Sequence, residues 1–263
     1  LDGRFPNHHP DPTVPENLKV LVETVLKEKA DFGLAFDGDS DRIGLVDNTG
    51  RILYGDEIMV IFSRDILKHL PRATIISEVK SSNRLYNDIA AKGGKPIMWK
   101  TGHSLIKAKM KETQAALAGE MSGHIFFADR YFGYDDAIYA GMRIFEIAST
   151  HPGPLSTIIE DLPKTVATPE IRLDCEEEKK FKLVEATKKR LSTKFKTNDI
   201  DGIRADFGDG WGLVRASNTQ PVLVLRFEAN SQKRMSEIRQ IVESALAEAA
   251  LELGHAPLTA AAH

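Results

Sequence analysis

Three aspartates at alternate positions, Asp37, Asp39 and Asp41, stand in the run Asp37-Gly38-Asp39-Ser40-Asp41-Arg42, directly after the apolar run Phe32-Gly33-Leu34-Ala35-Phe36. In a tight loop such side chains converge on one point, and three negative charges within a few ångströms repel unless a cation lies among them. A hard divalent ion with oxygen ligands fits, Mg²⁺ first, because it takes few carboxylates and keeps coordination sites for phosphate. A solvated acidic turn is the plain structural alternative. The spacing is not that of an EF-hand: loop positions 6 and 12 counted from Asp37 are Arg42 and Asn48, where Gly and Glu are needed.

Two further loops carry chemistry. Gly119-Glu120-Met121-Ser122-Gly123-His124 has two glycines that let backbone approach a ligand. Glu120 and Ser122 suit sugar hydroxyls, and His124 is a candidate general acid/base because imidazole titrates near neutrality. Arg215-Ala216-Ser217-Asn218-Thr219-Gln220-Pro221 offers a guanidinium, two hydroxyls and an amide within five residues, an inventory suited to a phosphate dianion. Each can instead be a structural polar turn. In Lys100-Thr101-Gly102-His103-Ser104, Ser104 fits a helix N-cap and His103 can contact a ligand. His8 and His9 read as surface residues. Asp37 and Asp39 also match the nucleophile and acid/base of a haloacid-dehalogenase-type phosphatase, although Asp41 would then repel phosphate. No HExxH, GxGxxG or Walker-type lysine loop occurs.

The elements that must position these loops follow from periodicity. Strands are expected at 32–36, 43–46, 51–54, 73–77, 96–99 and 115–118, and helices at 16–29, 56–68, 83–92, 104–113 and 135–149. Strands alternating with helices point to an α/β fold with a largely parallel mixed sheet flanked by helices. Four prolines between His151 and Pro169 suggest a linker. Beyond it, a strand at 170–173, a helix at 178–191, short strands through Val214, a strand at 222–228 and a helix at 231–253 read as a small C-terminal α+β domain. The tail 254–263 reads as frayed.

Composition narrows the classes. The 263 residues carry 35 Lys plus Arg against 38 Asp plus Glu, a net charge of −3, with pI near 6.3, which argues against a nucleic-acid partner. No run of 18 apolar residues suggests a membrane partner. A single cysteine, Cys175, excludes an internal disulfide framework and suits a reducing, cytoplasmic setting. The opening Leu1-Asp2-Gly3-Arg4, without Met or a signal pattern, reads as the interior of a longer chain.

Taken in order, the three loops resemble those of the α-D-phosphohexomutases, in particular the bacterial phosphomannomutase/phosphoglucomutase group. The likeness extends to Asn7-His8-His9-Pro10, Lys100-Thr101-Gly102-His103-Ser104 and Trp211-Gly212-Leu213-Val214-Arg215. The resemblance implies four domains around a cleft, each giving one loop, with a phosphoserine in domain one. It implies that Asp37, Asp39 and Asp41 hold Mg²⁺, and that Arg42, Lys80 and His124 serve the chemistry. Glu120, Ser122 and His103 would contact the sugar, and Arg215, Ser217, Asn218 and Thr219 the non-reacting phosphate. The substrate would be mannose or glucose 1- or 6-phosphate, passing through a 1,6-bisphosphate.

On this resemblance, residues 1–51 are the end of domain two, 52–163 domain three and 164–263 domain four. The Thr-Ala-Ser-His-Asn-Pro-type serine motif of domain one does not occur in the chain. The isolated chain is therefore expected to be inactive. A phosphoglucosamine mutase, a Mg²⁺-dependent phosphatase acting through Asp37, and a noncatalytic sugar-phosphate-binding remnant stay open.

Overall fold

A short 3-10 turn at Pro15–Leu18 leads into α1 (Lys19–Glu28), so the helix expected from Glu16 starts one turn late. Proline fixes the backbone for a first turn and has no N–H to give, and Val14 before it is extended. The structure, a computed structural model, describes residues 2–254, so the expectation of a frayed tail from 255 on lies outside the described residues. The chain divides into two compact units, Leu1–Leu162 and Pro163–His263.

In the first unit, β1 (Phe32–Phe36), β2 (Ile43–Asp47) and β3 (Ile52–Leu53) form an antiparallel three-stranded sheet. Helix α2 (Gly55–His69) follows. Its second turn is apolar all round, with Ile58, Met59, Val60, Ile61 and Phe62 buried, as a segment at the centre of a core must be. Then come β4 (Thr74–Glu78), α3 (Asn83–Ala91), β5 (Lys95–Trp99), α4 (His103–Thr113), β6 (Leu117–Gly119), β7 (Ile125–Phe127) and α5 (Ala137–Thr150). The four strands order β5-β4-β6-β7; β4 runs parallel to β5 and β6, and β7 is antiparallel to β6. The mixed α/β class is thus present, with the parallel part confined to this sheet.

Strand β7 was not expected, because three fully buried residues show no alternation. Nor is the Pro-rich stretch wholly a linker: its 3-10 turn at Leu155–Ile159 buries Leu155 and Ile159 in the core of the first unit.

The second unit adds β8 (Val166–Ala167), β9 (Ile171–Asp174), α6 (Glu177–Ser192), β10 (Lys196–Asn198), β11 (Ile203–Asp206), β12 (Gly210–Ala216), β13 (Val222–Ala229) and α7 (Gln232–Glu252). All its strand pairs are antiparallel, in the order β10-β11-β12-β13, with β8 and β9 both on β13. Its own core gathers Leu183, Val214, Leu225, Phe227, Ile238 and Val242, among others. Trp211 is fully buried outside that cluster, at alternate parity on β12 to Val214 and Ala216, with its indole N–H donating to Glu228 and the Arg204 guanidinium 3.7 Å above its ring.

Candidate functional site

The parallel strands set the site. β4, β5 and β6 all end on one edge of the sheet, and the residues next along the chain are Lys80, His103 and the run Glu120 to His124. Carboxyl ends of parallel strands are where α/β folds gather ligand groups. Ser104 is not the N-cap of α4. That position belongs to Gly102, at φ +129°, a conformation that side-chain-bearing residues rarely adopt, and His103 opens the helix.

The acidic loop lies in the same unit. It turns between β1 and β2 and brings one carboxylate oxygen each of Asp37, Asp39 and Asp41 within 4.8 Å of one another. Asp37 Oδ1 accepts the backbone N–H groups of Asp41 and Arg42, both at 3.1 Å, so the loop closes on that carboxylate. Ser40 holds φ +62° at the tip and its carbonyl accepts the N–H of Ala137 at the start of α5.

The acidic and glycine-rich loops are stitched together. Arg42 and His124 form an isolated antiparallel bridge, and Ile43 N–H donates to the Gly123 carbonyl at 3.0 Å. Gly123 sits at φ +92°, and a Cβ there would lie 2.5 Å from the Ile43 carbonyl oxygen, so only glycine permits the approach. Gly55 does the same from α2: a Cβ would meet the Glu120 carbonyl at 2.1 Å.

His124 is the hinge of the electrostatics. Its Nδ1 lies 2.7 Å from Glu120 Oε2 and 3.0 Å from Ser122 Oγ. Its Nε2 lies 3.2 Å from Asp41 Oδ1 and takes Arg42 Nε–H at 3.2 Å. Burial works against the imidazolium, but the hydrogen bond and charge of Glu120 and the charge of Asp41 outweigh it, so its pKa is raised. Burial likewise works against the Glu120 carboxylate, yet the His124 bond and the Gly102 N–H at 2.7 Å hold its pKa below the ordinary value.

Glu78, at the end of β4, was missed by the sequence reading. Fully buried, it accepts Met121 N–H at 2.9 Å and the Thr101 hydroxyl, with Lys80 Nζ 3.4 Å away. One carboxylate therefore ties together the loops after all three parallel strands. Burial first, then the charge of Glu120, raises its pKa. The signal was a lone Glu closing the strand Thr74-Ile75-Ile76-Ser77.

In the second unit, Arg215 is buried near the end of β12 with Nε 3.0 Å from Asp201 Oδ2. Ser217 Oγ accepts the N–H groups of Thr219 and Gln220, while Asn218 and Thr219 are exposed at the loop tip. Lys180, also missed, is fully buried, and its Nζ donates to the Ser217 carbonyl at 2.5 Å, the Gln220 carbonyl at 3.1 Å and Glu177 at 2.7 Å. With the Ser217 carbonyl drawn to Lys180, the Asn218 N–H across the same trans peptide faces the opposite way. The signal was positional: Lys180 lies on the buried stripe with Leu183, Val184, Thr187 and Leu191.

Residues 1–50, 54–166 and 170–245 match, in turn, alpha/beta/alpha domain II, alpha/beta/alpha domain III and the C-terminal domain of phosphoglucomutase/phosphomannomutase. Fold, loop order and these matches define a class: the chain belongs to the phosphoglucomutase/phosphomannomutase family, among the α-D-phosphohexomutases. It is 50% identical over 247 residues to a phosphomannomutase/phosphoglucomutase of Pseudomonas aeruginosa, covering 94% of this chain and 53% of the relative. The structure is similar to that of a Burkholderia thailandensis phosphoglucomutase/phosphomannomutase family protein, at TM-score 0.88 and 44% identity, over 95% of this chain and 53% of that one. The fold also resembles Aspergillus fumigatus N-acetylphosphoglucosamine mutase, solved in complex with GlcNAc-6P and magnesium, at TM-score 0.63 and 15% identity, over 82% and 48% of the two chains. The chain thus spans about half the length of the relatives it matches. Among the described residues no helix is long and apolar enough to cross a membrane.

Proposed function

We propose that this chain carries the metal, sugar and phosphate loops of a mutase interconverting hexose 1- and 6-phosphates of mannose or glucose. The observation that carries this reading is the stitch between Arg42 and His124, which sets the acidic triad and an acid/base imidazole side by side. On this reading residues 1–51, 52–163 and 164–263 correspond to the end of domain two, domain three and domain four. The setting is cytoplasmic.

The donor set fits Mg²⁺. Three carboxylate oxygens within 4.8 Å of one another are compatible with an octahedral ion at about 2.1 Å, whose ligand pairs lie about 3.0–4.2 Å apart. Asp37, Asp39 and Asp41 would hold it, and when bound it would neutralise charge on phosphoryl oxygens. Arg42, with Nε 3.6 Å from Asp37, adds a guanidinium beside that charge. Asp37 Oδ1 is committed to its own loop, which suits a ligand better than the nucleophile of the phosphatase alternative.

Glu120 fixes His124 with its proton on Nδ1, leaving Nε2 to accept a proton from a sugar hydroxyl and, as imidazolium, to return it to a leaving oxygen. Lys80 supplies a second cation at the end of β4. Glu120 and Ser122 face hydroxyls, with His103 at the rim. Arg215, Ser217, Asn218 and Thr219 bind the phosphate that does not react, by the guanidinium, the hydroxyls and the Asn218 N–H.

The covalent carrier on this reading is a serine in a Thr-Ala-Ser-His-Asn-Pro-type motif, which these 263 residues do not contain. The remaining loops hold ground and transition state alike and cannot replace it. In a coupled assay with glucose 1-phosphate, Mg²⁺ and catalytic glucose 1,6-bisphosphate, the purified chain is expected to show no turnover, and a longer chain that adds the serine-bearing half of the relatives to show it. Turnover by the 263 residues alone, lost in Asp39→Ala, would overturn the assignment of the carrier.

A further inference from the structure

We propose a second cation site beside the acidic triad, formed by Asp41, His124 and Asp135 and suited to a Zn²⁺-class ion. One ligand atom of each lies within 4.8 Å of the other two. The triad of Asp37, Asp39 and Asp41 is all oxygen and suits a hard ion, whereas this group mixes an imidazole with two carboxylates, the set that borderline ions prefer.

Two observations besides the clustering point to a ligand. First, His124 Nδ1–H donates to Glu120, so Nε2 presents its lone pair toward Asp41; a carboxylate behind an imidazole is the arrangement that orients histidines on metals. Second, Asp135 Oδ2 is buried and accepts no hydrogen bond, and its side chain is only 8% exposed. The 3.2 Å between His124 Nε2 and Asp41 Oδ1 is close to the edge of a tetrahedron built on metal–ligand bonds of about 2.0–2.1 Å.

Besides Glu120, the charged or titratable neighbours of the group are Arg42, Lys107 and His103. Arg42 occupies the electrophile's place at Nε2, but its ion pairs to Asp37 and Asp41 are long, 3.6 and 3.9 Å, and its side chain is 37% exposed, so it can swing out. Lys107 binds the other oxygen, Asp135 Oδ1, at 3.1 Å. His103, whose Nδ1 is 3.5 Å from Asp135 Oδ2 and whose ring stacks on His124, stands where a fourth ligand or water belongs. An ion here removes His124 Nε2 from proton transfer and shares Asp41 with the triad. Such ions are therefore inhibitory on the mutase reading, although the binding site itself does not depend on that reading.

The test is a titration of the 263-residue chain with Co²⁺, which absorbs visible light far more strongly when four-coordinate than when six-coordinate. Asp135→Asn is expected to weaken the absorbing site at least 10-fold, a loss of the size that even the partners behind metal ligands produce. Asp39→Ala is expected to change it less than about twofold while weakening Mg²⁺ binding measured by calorimetry. Should Asp135→Asn fail to fold, the wild-type chain decides: Zn²⁺ must shift the imidazole ¹⁵N resonances of His124. Equal loss of Co²⁺ affinity in the two variants, placing the ion in the triad, would overturn the site. So would unchanged His124 resonances, with shifts only at His8, His9 or His69.

Discussion

Ser40 is the residue at which the acidic loop bears strain. Its φ of +62° costs an L-residue about 1–2 kcal/mol, and its carbonyl is the acceptor that α5 uses, which glycine would keep. Ser40→Gly is expected to stabilise the chain by about 0.5–1 kcal/mol after the added freedom of the unfolded glycine is subtracted, read as a shift of the urea midpoint. Glu78 makes the opposite case, a buried carboxylate whose raised pKa means that folding takes up a proton there. A group raised in this way contributes stability at low pH and loses it as pH rises through its folded value. Wild type should therefore gain on Glu78→Gln as pH falls from 8 toward the ordinary Glu value of 4.5, in urea titrations across that range. A difference independent of pH would show that Glu78 is charged throughout. Neither Glu78 nor Lys180 was evident as a site-building residue in the sequence, because each acts by burial, and its only mark is its position, at the end of a strand or on the apolar stripe of a helix.

At the scale of elements, the glycine-rich loop is held by contacts that exclude a Cβ. Gly123→Ala places a methyl 2.5 Å from the Ile43 carbonyl at a backbone angle unsuited to alanine. The expected cost is about 2 kcal/mol or more, and the same change should weaken Mg²⁺ binding at the acidic loop, because the bridge between Arg42 and His124, 82 residues apart in sequence, is lost. Full stability with intact Mg²⁺ affinity in calorimetry would show that the stitch is dispensable. Most elements here were legible: strands 32–36 and 222–228 declare themselves as short apolar runs, and the helices after 56, 83 and 178 by a 3.6-residue period. Boundaries shifted where caps decided them. Asp136, not Asp135, caps α5 by accepting Tyr139 N–H, and Gly102 took the place expected for Ser104. β7 and the turn at Leu155–Ile159 stayed hidden because pairing to β6 and docking on α2 are tertiary facts.

For the molecule as a whole, each unit has its own core, and the acidic and glycine-rich loops belong to one of them. The order of the loops along the chain was readable from residue types alone. Their convergence was not, since it needs the parallel edge of β4, β5 and β6 and the bridge from β2. The central claim is that the carboxylates of Asp37, Asp39 and Asp41 and the loop from Gly119 to His124 form one site for a divalent ion and a hexose phosphate. The most direct measurement replaces Mg²⁺ with Mn²⁺ and follows paramagnetic broadening of the sugar and ³¹P lines of glucose 1-phosphate in the presence of the chain. Protein-dependent broadening that disappears in Asp39→Ala is the expected result. Equal broadening in wild type and Asp39→Ala would contradict the claim and place the ion, the sugar phosphate or both elsewhere.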